Sequence, residues 1–274
     1  MTSRAFVRAL LACALLVGCG TGSLGGSGGD RSSSITNGNV DGNAHPAVVM
    51  IVMDVGGQPA FRCSGTFIAP KVVLTAGHCA GEPGEFSGVR VFTESDVQSG
   101  NNNFPFPGPN TIEAVAWTAH PQFTEAQFFL HDVGVIQLGK AFKLPAGAQF
   151  GQLPAVSQLE SLQPSAATTF TAVGYGVQRI NPAQVVAELI RMNASPHLIQ
   201  IDTGFTGSFS LLLSNNASTG GTCFGDSGGP DFLGTSNVIA GVTSFALNGS
   251  CGGTGGVFRL DRQDVLDFVR SFLR

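Results

Sequence analysis

The chain has 274 residues, of which 43% are hydrophobic and 12% are charged, with 38 glycines and a formal net charge of −4 at pH 7. So many apolar and so few charged residues exclude a disordered chain, and the acidic balance excludes a basic nucleic-acid-binding face. A composition rich in glycine favours short strands joined by tight turns, and an all-β unit can reach this length as one domain.

Residues 1–18 have the pattern of a signal peptide. Arg4 and Arg8 precede the apolar stretch 9–17, which is too short for a permanent membrane span. The sequence that ends this stretch, Leu16-Val17-Gly18-Cys19, resembles the lipobox of bacterial lipoproteins, in which the cysteine receives the lipid and becomes the mature N-terminus. The alternative is an ordinary secretory leader that contains a cysteine. The resemblance implies an exported bacterial protein, either anchored by a lipid on Cys19 or released as a soluble mature domain.

Residues 19–34 are rich in Gly and Ser and predict a flexible tether or pro-segment. From Ile35 onward, short apolar runs bounded by Gly, Pro and Asn predict many strands, in a sandwich or in barrels. The clearest runs are 48–53, 71–75, 134–138, 168–173, 237–245 and 256–260. At the end of the chain, apolar residues recur at three- and four-residue steps and predict a helix over 261–274, with Asp261 as its cap.

The cysteines indicate two disulfides. Of the six, Cys13 would leave with the leader and Cys19 would be acylated. An even count of four then remains in an exported chain, which allows three pairings.

Among the five histidines, His78 has the best surroundings for a general base. It follows a predicted strand in the tight segment Leu74-Thr75-Ala76-Gly77-His78-Cys79. His45 and His120 each precede a proline in polar surroundings, which is typical of surface loops. A base must be held within tenths of an ångström, so the segment around His78 is the preferred one.

Asp132 is the candidate partner for this base. It stands at the head of the apolar run 134–138, where a buried carboxylate can stabilise an imidazolium. An isolated Asp at such a place would be read as a strand cap, but its position between His78 and Ser227 favours the catalytic interpretation.

The string Gly225-Asp226-Ser227-Gly228-Gly229-Pro230 offers a nucleophile and donors for an oxyanion. Its glycines let the backbone turn sharply, so that the amides of Gly225 and Ser227 can face one cavity. The same string contains G-x-S-x-G, the nucleophile elbow of α/β hydrolases. Those enzymes place the histidine after the serine, and no histidine follows His197, so that fold is excluded.

In this order, the segments TAGHC, HDVGVIQL and CFGDSGGP resemble the three signature segments of the chymotrypsin/trypsin family, over residues 35–274. The resemblance implies a serine endopeptidase with His78, Asp132 and Ser227 as its triad and the amides of Gly225 and Ser227 as its oxyanion hole. It implies an all-β fold of two six-stranded antiparallel barrels, about 35–145 and about 146–260, with the active site in the cleft between them and a C-terminal helix. It also selects one disulfide pairing, namely Cys63–Cys79 with Cys223–Cys251.

The family also implies where the side chain before the cleaved bond binds. The floor of that pocket corresponds to Gly221 and the walls to Ser244, Phe245, Ala246 and Gly256. Trypsin has an Asp at the floor, whereas an uncharged pocket cannot pair with Lys or Arg. We therefore expect cleavage after apolar, medium-sized residues.

Members of the family are activated when a freed Ile amine pairs with the Asp before the nucleophile, which here implies Ile35 and Asp226. The segment Ile35-Thr36-Asn37-Gly38 matches the family's I-V-G-G only in part, and Ser34 replaces the usual Arg or Lys. The alternative is that local amides satisfy Asp226 and the chain needs no processing.

The expected partners are protein or peptide substrates, an activating protease and, before processing, a membrane reached through the lipid. The sequence indicates no cofactor and no metal site. The competing hypothesis is a catalytically silent, protease-like binding module tethered to a bacterial membrane.

Overall fold

The computed structural model describes residues 35–181 and 184–274, so the predicted leader, Cys19 and the tether lie outside the described residues. Within these ranges, no helix is long and apolar enough to cross a membrane. A short strand, β1 (Asn39–Val40), leads into the first of two barrels.

Six antiparallel strands close the first barrel in the order β2-β3-β4-β7-β6-β5. They are β2 (Val48–Val55), β3 (Gln58–Ala69), β4 (Val72–Thr75), β5 (Gly88–Phe92), β6 (Thr111–Ala119) and β7 (Gly134–Leu138). A four-residue helix, α1 (Gly77–Ala80), follows β4, and a 3₁₀ segment (Glu125–Leu130) precedes β7. The two segments that carry His78 and Asp132 thus leave neighbouring strands of one barrel.

The second barrel closes in the order β8-β12-β13-β16-β15-β14, because β14 also pairs with β8. Its strands are β8 (Ser165–Gly174), β12 (His197–Thr203), β13 (Gly207–Asn215), β14 (Pro230–Leu233), β15 (Ile239–Ala246) and β16 (Gly253–Arg259). Besides β1, three further short strands of the described residues lie outside the barrels. They are β9 (Arg179–Asn181) and β10 (Gln184–Val186), which pair with each other, and β11 (Met192–Ala194), which pairs with β8. The predicted fold of two six-stranded antiparallel barrels with a C-terminal helix is confirmed.

Apolar side chains from the strands fill the interiors of the barrels. In the second barrel, buried residues form a hydrophobic cluster of Leu159, Phe170, Leu198, Leu211, Leu213, Ala240 and Val257. Burying a side chain of this kind contributes about 1.5–3 kcal/mol. A larger cluster includes residues of the first barrel together with Phe232 and Phe258 of the second. Buried apolar side chains are therefore continuous between the two barrels.

The first and last elements that the structure describes each pack on the barrel that does not adjoin them in sequence. Strand β1 precedes the first barrel but pairs with β11, and thereby with the sheet of the second. The terminal helix, α2 (Gln263–Arg270), follows the second barrel, yet the ring of its Phe268 lies 5.1 Å from that of His120, directly after β6. Asp264 Oδ2 lies 3.8 Å from His131 Nε2, also on the first barrel.

Helix α2 begins at Gln263, two residues later than the sequence predicts, and a 3₁₀ turn (Ser271–Leu273) continues it. Asp261 does not cap it, because its Oδ2 accepts a hydrogen bond from the amide of Leu159 at 2.8 Å and its carboxylate pairs with Arg259. The N-cap is Arg262, which makes no side-chain cap bond.

Candidate active site

His78 and Asp132 form a hydrogen-bonded pair. The ring Nδ1 of His78 lies 2.9 Å from Asp132 Oδ2 and 3.0 Å from Oδ1, and the amide of His78 donates to Oδ1 at 2.9 Å. The Asp132 side chain is fully buried, whereas that of His78 is 29% exposed. A carboxylate that holds Nδ1–H leaves Nε2 as the basic nitrogen, on the exposed side.

The turn that carries His78 approaches Asp132 closely because Gly77 has no side chain. A Cβ on Gly77 would lie 2.7 Å from Cδ2 of Phe123 and 3.1 Å from the amide nitrogen of Val133, the residue after Asp132. Real Cβ atoms do not tolerate such distances, so a larger residue at position 77 would push the base away from its acid.

The second barrel also contacts this pair. Ser244, at the end of β15, donates from Oγ to Asp132 Oδ2 at 2.5 Å. Asp132 therefore accepts bonds from the amide and the ring of His78, on the first barrel, and from Ser244, on the second, which fixes the orientation of the carboxylate.

The loop that carries Ser227 is held against the turn of His78. The carbonyl of Ser227 accepts a bond from the amide of Ser64 at 2.8 Å, and the preceding Cys63 is disulfide-bonded to Cys79, the neighbour of His78. A Cβ on Gly228 would lie 2.7 Å from the amide nitrogen of Ala76. Ser227 and His78 are thus neighbours, although no hydrogen bond between Ser227 Oγ and His78 occurs among the described residues.

Two backbone N–H groups next to the nucleophile are left without a partner in the part of the chain that the structure describes. The carbonyl of Phe224 accepts from the amide of Val177 at 2.7 Å, and that of Asp226 accepts from Gly229 at 2.8 Å. The carbonyl ends of both peptide groups are therefore held, while their N–H ends, on Gly225 and Ser227, bond to no described residue. Unpaired donors of this kind can bind an anionic oxygen.

Asp226 is fully buried behind this loop. Its Oδ1 accepts from the amide of Gly176 at 2.7 Å and its Oδ2 from that of Cys223 at 2.9 Å. Burial raises the pKa of Asp226 to about 7, against the opposing effects of the two amides and of the Arg62 charge. Ile35 is also fully buried, against Met192 and Ala194, and no hydrogen bond to Asp226 is found for it among the described residues.

Nearby charges also change the pKa of His78. Burial acts to lower the pKa of His78, but the charge and hydrogen bond of Asp132, with a contribution from Glu85, outweigh it and raise the pKa above 6.5. His78 is therefore a stronger base than free imidazole.

At the predicted pocket floor, a neutral amide occupies the space beside Gly221. A Cβ on Gly221 would lie 2.3 Å from Cγ of Asn215. Asn215 is buried; its Nδ2 donates to the carbonyl of Thr222 at 2.8 Å, and its Oδ1 accepts from Thr36 Oγ1 at 2.6 Å. The sequence analysis missed Asn215, since nothing in the chain order links it to Gly221.

Among the predicted wall residues, Phe245 and Gly256 are cross-strand partners, and a Cβ on Gly256 would lie 2.3 Å from the Phe245 ring. Ala246 packs beside Val177 and the Cys223–Cys251 bridge. Ser244 is the exception, because its hydroxyl is committed to Asp132.

Four phenylalanines, of which the sequence analysis singled out only Phe245, form a closed set of ring contacts next to His78. The centroid of Phe128 lies 6.2 Å from the His78 ring. Centroid distances within the set are 5.6 Å for Phe128–Phe129, 4.4 Å for Phe129–Phe205, 6.4 Å for Phe205–Phe245 and 6.5 Å for Phe245–Phe128. Phe205 is 67% exposed, so this Phe quartet presents an apolar surface to solvent beside the base.

Both predicted disulfides are present, Cys63–Cys79 and Cys223–Cys251. The sulfurs of Cys63 and Cys79 lie near the ring of His78, but they are bonded to each other and offer no thiolate to a metal. Disulfides persist in oxidising compartments outside the cytosol, so the bridges indicate an extracellular protein.

Comparisons with known proteins identify the family of the chain. Residues 36–265 match the family model described as Trypsin. The chain is 25% identical over 226 residues to trypsin iota of Drosophila melanogaster, covering 79% of this chain and 82% of that protein. It is 27% identical over 185 residues to chymase of Rattus norvegicus, covering 67% and 68%.

The chain is 26% identical over 230 residues to the serine protease Hayan of Drosophila melanogaster. The match covers 75% of this chain but only 34% of that protein. Among solved structures, HL collagenase superposes with a TM-score of 0.68 at 22% identity, covering 86% of this chain and 97% of that one. Human heparin binding protein superposes with a TM-score of 0.64 at 20% identity, covering 87% and 96%. The family model spans most of the chain, and the chain is therefore a member of the trypsin family, a chymotrypsin-like serine endopeptidase.

Proposed function

We propose that Ser227 is the nucleophile, His78 the general base and Asp132 the residue that orients the base, in peptide-bond hydrolysis through an acyl-enzyme. The observation that carries this proposal is the buried carboxylate of Asp132 on Nδ1 of His78, in a turn against which the Ser227 loop is packed. A fluorophosphonate probe that reacts with activated serines should label the enzyme at Ser227. Absence of labelling and of hydrolysis in the mature protein would favour the silent binding module, since the fold is also that of a heparin binding protein.

In this mechanism, His78 Nε2 takes the proton of Ser227 as its Oγ attacks the carbonyl carbon, and later gives it to the leaving amine. Asp132 stabilises the imidazolium between these steps. The N–H groups of Gly225 and Ser227 bind the negative oxygen of the tetrahedral intermediate. Water then attacks the acyl-enzyme with His78 again as base.

Because neutral His78 is the working base and its pKa lies above 6.5, kcat/KM should rise with pH through a midpoint above 6.5. Glu85 contributes to raising this pKa, so Glu85→Gln should move the midpoint to lower pH and leave the plateau unchanged. Rate–pH profiles on a chromogenic peptide measure both. A flat profile would contradict His78 as the base, and a midpoint below 6.5 would contradict the raised pKa.

The site is best suited to apolar side chains before the cleaved bond. The buried Asn215 amide beside Gly221 carries no charge, and burying an unpaired ammonium or guanidinium there is costly. Ala246 narrows the wall, which favours medium-sized groups over Trp. The Phe quartet adds apolar surface near the base, which supports the same preference.

Cleavage-site profiling with a peptide library tests this preference. We expect the cleavage rate after apolar, medium-sized residues to exceed that after Lys and Arg by at least about 10-fold. Burying an unpaired cation costs more than about 1.4 kcal/mol, which corresponds to a factor of 10. Asn215→Asp adds a carboxylate of the same shape and should reduce this ratio. Strong cleavage after Arg or Lys by the unmodified enzyme would show the assignment of the pocket to be wrong.

We further propose that the protein is exported with a lipid on Cys19 and that a cut after Ser34 both activates and releases it. The amine freed on Ile35 would add a cation beside Asp226, a buried carboxyl group whose pKa is raised to about 7 by burial even though the Arg62 charge acts to lower it. Ile35 has φ of +46°, a strained value for a β-branched residue. This torsion exists only while residue 34 is attached, so the cut removes the strain.

The competing possibility is that the amides of Gly176 and Cys223 suffice for Asp226 and no cut occurs. N-terminal sequencing of the soluble active species decides between them. We expect an active, soluble form that starts at Ile35 and an acylated, membrane-bound, weakly active precursor. An active form that retains residues 19–34 would refute the coupling of activation to release.

A further inference from the structure

Ser64, directly after Cys63 on β3, hydrogen-bonds through its backbone and its hydroxyl to the loop that carries Ser227 and to Thr75 on β4. It is fully buried. Its amide donates to the carbonyl of Ser227 at 2.8 Å, and its Oγ donates to the carbonyl of Gly225 at 3.0 Å. Its carbonyl accepts from Thr75 Oγ1 at 2.8 Å. One residue of the first barrel thus holds both residues whose amides are left unpaired beside the nucleophile.

We propose that the Ser64 hydroxyl is a positioning group for the oxyanion site: it sets the orientation of Gly225 and so aims the Gly225 amide at the substrate oxygen. This inference rests on the proposed function. Gly225 has φ of +96°, and a glycine has the widest choice of backbone conformations. Nothing in the residue itself therefore keeps its amide in place, and the restraint must come from its neighbours.

The peptide group after Gly225 is held at both ends. Its carbonyl accepts from Ser64 Oγ, and its N–H, on Asp226, donates to the carbonyl of Cys223 at 3.0 Å. The peptide group before Gly225 is held only through the carbonyl of Phe224. Removing the Ser64 bond would leave the peptide group after Gly225 held at one end only, through the N–H of Asp226.

The direction of the hydroxyl proton is also determined. The amide of Tyr175 donates to Ser64 Oγ at 3.0 Å, and a hydroxyl has only one proton to give. With Tyr175 as the donor on one side, the proton of Ser64 is directed to the carbonyl of Gly225. Ser64 is fully buried and the bond is partly buried, which limits the competition from water.

A purely structural role would also satisfy these groups, and the test must separate the two. Ser64→Ala removes the hydroxyl and keeps the amide bond to Ser227. If the hydroxyl positions the oxyanion site, kcat should fall about 10- to 100-fold, somewhat less than for outright removal of a donor, with KM within about 2-fold. Affinity for a peptide boronic acid, whose tetrahedral adduct occupies the oxyanion site, should fall in parallel. Affinity for the cleaved product peptide should not change.

The matched control is Ser214→Ala on β13. Ser214 is buried, and its Oγ accepts from the amide of His197 at 3.0 Å and donates to Thr219 Oγ1 at 3.0 Å. The Ser214→Ala variant therefore also loses a buried serine hydroxyl that accepts one hydrogen bond from a backbone amide and donates another. We expect a similar drop in melting temperature for both variants, but a lower ratio of boronate to product affinity for Ser64→Ala alone. Ser64→Thr, which keeps the hydroxyl, should restore most of the ratio.

Should Ser64→Ala fail to fold, the same ratio is measured on Ser64→Gly, which also lacks the hydroxyl. Equal ratios in wild type and in the variants without the hydroxyl, with only stability lowered, would overturn the positioning role. The proposed function is judged separately on the wild-type enzyme. If wild type neither hydrolyses peptides nor binds the boronate, the function fails and the inference falls with it.

Discussion

Ser227→Ala is expected to lower kcat on a peptide substrate by about 10⁴-fold or more, and His78→Ala by a similar factor. Without Oγ there is no atom to form the acyl-enzyme, and without the imidazole no group takes its proton at neutral pH. The oxyanion donors and substrate binding remain, so KM should change little. Steady-state kinetics on the mature protein, with circular dichroism to confirm folding, measure the effect.

The double variant Ser227→Ala with His78→Ala gives the sharper test, because the two residues act as a unit. Its loss should be close to that of either single variant and not to the product of the two. Ser250→Ala, which changes an exposed serine, is the control and should keep full activity. Hydrolysis that survives in either single variant would rule out the mechanism.

Asp41→Ala is expected to lower the free energy of unfolding by about 3–5 kcal/mol. Both Asp41 and its partner Arg191 are buried, and Arg191 Nε lies 2.8 Å from Asp41 Oδ2. The guanidinium also donates to the carbonyls of Val48 and Gly42 at 2.9 Å and 2.6 Å. Removing the carboxylate leaves a buried cation without its counter-charge. Urea unfolding in the inactive Ser227→Ala background, which prevents self-digestion, measures the loss.

Burial acts to raise the pKa of Asp41, but the bonds and charges of His45 and Arg191 outweigh it and hold the pKa below 3.8. The stabilisation is therefore present above pH 3.8 and is lost as the pH falls through the folded-state pKa. Combining Asp41→Ala with Arg191→Met removes the unpaired charge and should recover part of the loss, since an apolar replacement of a buried pair is often neutral. A loss below about 1 kcal/mol for Asp41→Ala would contradict the expected role of the pair.

Much of the fold could be predicted because its signals are local. The six clearest apolar runs all fall largely within β2, β4, β7, β8, β15 and β16, since a barrel strand alternates inward and outward residues over a short run. Strand β6 (Thr111–Ala119) was not predicted, because it is only partly buried along its length. The start of α2 was misplaced because a contact with Leu159, 102 residues away, occupies Asp261.

The same distinction applies to the site. His78, Asp132 and Ser227 were predicted because each lies in a motif and the three occur in a fixed order. Ser64 and Asn215 were not, because their roles depend on residues brought together by folding. The bond from Ser64 to Gly225 joins residues 161 positions apart, and no spacing or composition marks it in advance.

The packing of β1 on the second barrel and of α2 on the first affects how the protein unfolds. The N-terminal segment extends the sheet of the second barrel through β1 and β11, and α2 packs on the first barrel through Phe268 and His120. Separating the two barrels therefore requires β1 to leave the sheet of the second barrel and α2 to leave the first. We therefore expect a single cooperative melting transition for two barrels that resemble separate domains, with catalytic activity lost at the same temperature as the β-structure.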